Sequence, residues 1–263
     1  FSTSINSIQA QLSYTAKTER PSYSQLSNNI VYADRYTQQT GDPTLKPSTI
    51  HDVTLVGAWR FLQLSMSYTQ TKNWILYWGD LIKEDGSLMM LHHRNSNKSI
   101  PAFSAFLSAS PTIGCWSPIL GVGVLKQWLT IESNKIQHKM DMPLYLASFN
   151  NIWKLPNDYM ISLDMRIQSK GVYQNIYMKQ AIGSVDISLR KSFLKDALNI
   201  ELKGSDLFNT DRQYNYLRSG DYTIYQKSLW DHREFSLTIR YKFNSVKSKY
   251  KGTGAGLNQR KRM

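Results

Sequence analysis

Residues 234–243 read Glu-Phe-Ser-Leu-Thr-Ile-Arg-Tyr-Lys-Phe, with Phe235, Leu237, Ile239, Tyr241 and Phe243 at every second position and Ser236, Thr238, Arg240 and Lys242 between them. Side chains alternate across a β-strand, so this stretch has one oily and one wet face. The same period returns upstream at Leu198, Ile200 and Leu202, at Val185, Ile187 and Leu189, and at Ile161, Leu163, Met165 and Ile167. It recurs again at Leu62, Leu64, Met66 and Tyr68, and at Ala10, Leu12, Tyr14 and Ala16. No helical period competes over a comparable length, and the fold class is all-β.

A soluble sandwich alternates too, so the connections have to decide. Trp59 to Phe61, Ser110 to Gly114, Lys154 to Asp158 and Lys191 to Asp196 are short. Between them fall longer polar stretches at 20–47, 74–98, 132–140, 168–176 and 208–226. Strict alternation of short and long joints is the pattern of an antiparallel transmembrane β-barrel, with tight periplasmic turns and long extracellular loops. The wet positions include Asp164, Arg166, Asp186, Arg190, Lys203 and Arg240, too polar for a packed core, so they predict a wide, hydrated or filled lumen. About ten strands are visible over 1–243, followed by a basic, flexible periplasmic tail at 244–263.

Composition narrows the alternatives. No window approaches the roughly 18 consecutive apolar residues of a membrane helix. The chain has 263 residues, 16 Tyr, 7 Trp and 9 Phe, and rings with a polar edge suit a boundary between oil and water. A formal charge of +13 ordinarily points to nucleic acid, but six of the cations lie in the last twenty residues, which hold no acid, leaving +7 for the body. Nucleic acid is therefore not expected as a partner. The single cysteine, Cys115, excludes an internal disulfide and is expected to be buried or lipid-facing. The chain starts at Phe1 without a signal sequence, which suggests either that a leader was removed or that this is the C-terminal part of something longer.

Three patches add a family resemblance. Arg20-Pro21-Ser22-Tyr23, the tyrosines 32 and 36, and then Gly41-Asp42-Pro43-Thr44-Leu45-Lys46-Pro47 resemble the G-[ND]-P-x-L-x-P segment of TonB-dependent outer-membrane receptors. The tail from Lys247 to Gly256 resembles the end of such barrels in Bacteroidetes, and Asp206-Leu207-Phe208-Asn209 is similar to the x-N-L-F-N that precedes their last strand. The resemblance implies residence in the outer membrane of a Gram-negative bacterium, surrounded by its lipid. It implies a barrel of about 22 strands around an N-terminal plug, energised by a TonB-type system and importing a scarce solute. The plug, its energy-coupling box and the first half of the barrel are not among these residues, so the chain reads as the C-terminal half of a receptor.

Candidate site residues follow from the outer loops. Tyr23, Tyr32 and Tyr36, then Trp74, Tyr77 and Trp78, then Tyr214, Tyr216, Tyr222 and Tyr225 are the rings expected to meet an unidentified solute. Gly41, Asp42, Pro43, Leu45 and Pro47 are expected to act geometrically: Gly41 and Asp42 turn the chain, the prolines bar helix, and Leu45 anchors between them. Trp59, Trp116, Trp128, Trp153 and Trp230 lie near predicted strand ends and suit a membrane-interface girdle. His92 and His93 are adjacent and point to opposite sides of a strand, His232 reads as a loop pair with Asp231, and no shared metal, cofactor or catalytic nucleophile is indicated. Gly252 to Gly256 lacks the spacing of a nucleotide-binding loop. Two rival readings remain at this stage: an adhesion or structural barrel without transport, and a soluble basic β-domain that binds polyanions.

Overall fold

The computed structural model describes residues 2–5, 7–82, 88–132, 137–228 and 231–243. Trp230 and the basic tail lie outside them. Strands β1 (Ser2–Ile5) and β2 (Ile8–Glu19) begin a wall. A first excursion carries the single-turn helix α1 (Tyr23–Leu26) and strands β3 (Val31–Asp34) and β4 (Thr37–Gln39), and β5 (Ser48–Trp59) and β6 (Leu62–Lys72) rejoin the wall. The second holds β7 (Ile75–Leu81) and β8 (Met89–Asn95), before β9 (Ile100–Ala109) and β10 (Trp116–Gln127). The third is a hairpin, β11 (Leu129–Glu132) and β12 (Gln137–Met140), followed by β13 (Leu144–Leu155) and β14 (Tyr159–Gln168). The fourth contains β15 (Gly171–Tyr173) and β16 (Ile176–Met178), then β17 (Ile182–Phe193) and β18 (Leu198–Ser205). The fifth contains β19 (Gln213–Ser219) and β20 (Tyr222–Ser228), and β21 (Glu234–Tyr241) completes the wall.

The wall is one 11-stranded sheet in the order β1-β2-β5-β6-β9-β10-β13-β14-β17-β18-β21, a pure antiparallel meander. β1 and β21 are its free edges, so it is a partial barrel. Because neighbours are sequential and antiparallel, every excursion leaves from one end and every short turn from the other. Local chemistry makes the short turns possible. Asn157 and Asp158 both take φ of 60°, a left-handed conformation that their short polar side chains tolerate. Leu194, Lys195 and Asp196 do the same between β17 and β18, at φ between 53° and 66°.

Register assigns each residue to a face. Leu12, Leu55, Met66, Ala105, Val124 and Tyr145 fall in one row, and Leu163, Ile187 and Gly204 share that face further along. This face leaves Leu12, Val53, Val122, Ile167, Leu202 and Ile239 exposed. A soluble monomer does not display so continuous an apolar surface. The opposite face carries Ser13, Thr54, Ser67, Ser104, Asp164, Asp186 and Lys203. There Asp52 accepts hydrogen bonds from Thr54 and from Ser67 Oγ (2.5 Å), and Ser162 and Ser188 pair across strands at 2.8 Å.

Indoles mark the short-turn rim. Trp116 and Trp153 are direct cross-strand partners, stacked with ring planes 6° apart and centroids 6.3 Å apart. Beneath them Asn151, fully buried on the oily face, accepts from Trp116 Nε1 (3.1 Å) and donates to the Leu163 carbonyl (3.2 Å), so its amide is compatible with an apolar setting. Lys191 Nζ sits 3.9 Å from the Tyr159 ring centroid at the same rim. Cys115 departs from expectation. It occupies the β9–β10 turn and is exposed, because its carbonyl, which accepts from Lys154 N at 2.9 Å, fixes it in the turn and not on a strand face.

Candidate functional site

The excursions are not loose loops. Leu76, Ile100, Leu129, Ile131, Met140 and Val172 form a buried apolar cluster at the long-loop end, with Trp74, Trp78 and Tyr177 packed against it. Strands β11 and β12 form their own hairpin, while β3-β4-β8-β7 and β15-β16-β19-β20 form two four-stranded sheets. Together they build a roof with its own core.

Single polar side chains clamp the roof. Ser219 Oγ donates to the Gly79 carbonyl (2.5 Å) and accepts from Gly79 N (2.9 Å), joining the second and fifth excursions. Fully buried Asn175 donates through Nδ2 to the carbonyls of Tyr77 (2.6 Å) and Arg218 (2.8 Å), adding the fourth. Gln127, at the top of β10, donates to the carbonyls of Met140 (3.0 Å) and Gln174 (2.6 Å) and accepts from Gln174 N (2.8 Å), tying the third and fourth to the wall. Strand edges that would otherwise be open are thereby satisfied from the side.

The Gly41–Pro47 segment seats the first excursion. Ser22 caps α1 with a reciprocal pair: Gln25 N donates to Ser22 Oγ (3.3 Å) and Ser22 N to Gln25 Oε1 (2.9 Å). Gly41 N then donates to the Ser27 carbonyl and Asp42 N to the Gln25 carbonyl, both at 2.7 Å. A Cβ on Gly41 would run into those two carbonyls, so the residue permits close approach of two backbones. Asp42 Oδ1 accepts from the Thr44 hydroxyl (2.6 Å) and Thr44 N (2.8 Å), and these bonds hold its carboxyl below the usual range. Leu45 is buried, Lys46 is pinned at both backbone groups by Asn95, and β5 starts at Ser48.

A second polar knot sits where the fifth excursion leaves β18. Asp206 is almost fully buried at φ 43°; its N–H donates to Asp186 Oδ1 (2.9 Å), while its own carboxylate accepts from Thr210 N (3.0 Å) and Asp211 N (3.3 Å). Asp211 is thus turned over the inner face. Its Oδ2 accepts from Arg166 Nη2 of β14 and from His232 Nδ1, each at 2.8 Å. His232 therefore pairs with Asp211 and not with its neighbour Asp231, whose Oδ1 instead accepts from Arg233 N at 3.3 Å and shapes the local turn. This cluster closes one side of an inner-face cavity of about 580 Å³. Gly121, Gly123 and Ser148 give it a low floor, Phe106 covers Gly123, and Gln168 and Gln213 add amide donors and acceptors.

The ten candidate rings fall into separate groups. Tyr23, Tyr32 and Tyr36 are exposed on the first excursion, Tyr23 at 94%. Trp74 and Trp78 are packed on the roof core: Trp74 meets Tyr173 edge-on at 6.0 Å, and the Arg94 guanidinium lies 5.3 Å from the Trp78 ring. Tyr77 accepts from Gln39 Nε2 (2.9 Å) and lies 5.2 Å from the His93 ring; burial raises its phenol pKa and lowers that of His93, which neighbouring His92 lowers further. His92 itself bonds Asp80 at 2.9 Å on the opposite face. Tyr216 stacks on Tyr177 at 4.6 Å and meets Tyr225 at 5.8 Å, a ladder across β16, β19 and β20 in which burial, foremost, raises the Tyr216 pKa. Tyr214 lies under Lys227 Nζ at 5.1 Å, and Tyr222 and Tyr225 are exposed. Sequence reasoning missed Asn175, Ser219, Gln127 and the Arg166–Asp211–His232 cluster.

A meander with one oily face, one polar face and all excursions at one end has known counterparts. The Outer membrane protein beta-barrel family matches residues 2–241. The chain belongs to that family. Its place is accordingly the Gram-negative outer membrane, and its oily face meets lipid. No curated protein matches the sequence significantly. Among solved structures, the siderophore receptor PirA from Pseudomonas aeruginosa superposes with a TM-score of 0.54 at 15% identity, over 81% of this chain and 39% of that one. The FrpB iron transporter from Neisseria meningitidis (F3-3 variant) gives 0.54 at 15% identity, over 91% and 36%. The chain thus spans less than two-fifths of the length of these two proteins, and the likeness is one of fold.

Proposed function

We propose that the chain is the C-terminal barrel portion of a TonB-dependent receptor that binds a solute from outside the cell and contributes to its uptake without catalysing a reaction. The observation that carries this reading is the pairing of a preorganised roof with a polar inner wall. The roof would face outward and present Tyr23, Tyr32, Tyr36, Tyr222 and Tyr225; below it the inner-face cavity offers Arg166, Gln168, Gln213 and His232. A solute passing from roof to lumen would exchange ring contacts for charged and amide hydrogen bonds. Energy coupling would come through a plug and a TonB-type partner supplied by the rest of the receptor.

Uptake in cells tests it. Deleting the gene that encodes the chain is expected to abolish energy-dependent accumulation of at least one member of a panel of ferric siderophores, oligosaccharides and short peptides. Arg166→Ala should weaken it, and a protonophore should mimic the deletion. Unchanged accumulation of every panel member in the deletion strain sinks the proposal.

A further inference from the structure

A second cavity, of about 240 Å³, opens between the second excursion and the β11–β12 hairpin. Its floor is the roof core itself, Leu76, Leu129 and Ile131. Its walls carry two indoles, Trp78 of β7 and Trp128 at the foot of β11. Alternation along β11 buries Leu129 and Ile131 and turns Thr130 and Glu132 outward.

The charges around the groove are already engaged. Lys98 Nζ and Glu132 Oε1 pair at 2.5 Å across it, and the Arg94 guanidinium is spread over the Trp78 ring. Lys98 and Glu132 cancel in formal charge, which leaves Arg94 as the one uncompensated cation among the described residues that line the groove, too little positive charge for a dedicated anion site. What remains to recognise a ligand is neutral: the amides of Asn97 and Gln137 and the Thr130 hydroxyl, beside the Trp128 ring, which is partly exposed and has Lys126 Nζ 5.5 Å from its centroid. Flat apolar faces bounded by neutral donors and acceptors match a molecule with C–H faces and a hydroxylated edge.

We propose that this groove binds an uncharged pyranose sugar, with a sugar face on Trp128 and its hydroxyls on Asn97 and Thr130. The site stands independently of transport, since it lies apart from the inner-face cavity. The source is either a soluble glycan or the headgroup of a membrane glycolipid, which present the same ring chemistry.

The test is binding of the purified protein in detergent to an array of neutral and charged soluble oligosaccharides, and in nanodiscs with and without lipopolysaccharide. At least one neutral glycan or the lipopolysaccharide is expected to bind. Trp128→Ala and Asn97→Ala should each weaken binding by about tenfold, the weight of one good ring or hydrogen-bond contact. Trp128→Phe should retain part of it, and Trp59→Phe at the opposite rim should leave it unchanged. Circular dichroism establishes that each variant is folded. Binding confined to soluble glycans identifies that source, and binding confined to lipopolysaccharide nanodiscs identifies the glycolipid. No binding in either arm, binding of charged soluble glycans alone, lipopolysaccharide binding that free inorganic phosphate abolishes, or binding indifferent to both alanine variants overturns the proposal.

Discussion

The wall and the roof solve opposite problems with one chain. In the wall, Leu55, Val122, Leu202 and Ile239 point outward and the polar residues point in, so the solvent for the apolar side chains is lipid. In the roof, Leu76, Ile131 and Val172 point inward, as in a water-soluble domain, and the polar Gln127, Asn175 and Ser219 are buried with them as clamps. The wall is held by continuous backbone ladders. The roof, assembled from strands of three to seven residues, needs side chains such as Ser219 and Asn175 to join pieces that no ladder connects. Local sequence therefore specifies the wall, and tertiary contact specifies the roof.

The largest separation between the two should come from Ile131→Ala. Removing a side chain that is 3% exposed from the roof core should cost about 2–5 kcal/mol there. Hydrogen exchange in detergent should show faster exchange in β7, β11 and β15 with β5, β14 and β17 unchanged; uniform loosening would mean that roof and wall are one cooperative unit. Next comes a neighbouring pair in β5. Leu55→Arg places a charge in lipid and should cost about 2–4 kcal/mol in a bilayer, whereas Val56→Arg, facing the lumen, should cost far less. Equal costs in vesicle unfolding experiments would overturn the face assignment.

Ser219→Ala sharpens the comparison within the roof. It leaves the Gly79 N–H and carbonyl without their buried partner, a loss of about 1–3 kcal/mol, read as faster proteolysis in the second and fifth excursions together. Cleavage enhanced in only one of them would show that the clamp does not couple them. The smallest effect is one of pH. Burial holds the His93 pKa below the ordinary value of about 6.5, so the opened state takes up a proton first as pH falls through that value. The β7–β8 hairpin should therefore lose protection on acidification, and His93→Gln should remove this dependence. Protection that rises on acidification would reverse the sign.

The wall was legible because its period persists for 8 to 12 residues in each long strand, enough to fix both face and register. The roof strands are too short for a period to show, and their partners lie far away in sequence. Trp74 and Trp78 looked like surface rings in a polar stretch; only the arrival of Leu129, Ile131 and Val172 from other excursions makes them part of a core. Asp211 illustrates the same limit. Nothing near it in sequence announces Arg166, and the adjacent Asp231 was the more obvious partner for His232. Gly41 was legible as a special residue, but the reason, two carbonyls of the α1 turn pressed against it, required the fold.

On the proposed orientation, the Ser219 clamp bears on how the cell surface is seen from outside. Gly79 and Ser219 are 140 residues apart, so if the roof faces outward as proposed, the outer face around them is a composite that no single loop peptide reproduces. Antibodies raised against a peptide of the 73–99 or the 206–233 segment alone would be selected on the Gly79 or Ser219 groups that the clamp covers in the folded protein. An immunogen that imitates this surface has to carry both segments already locked together.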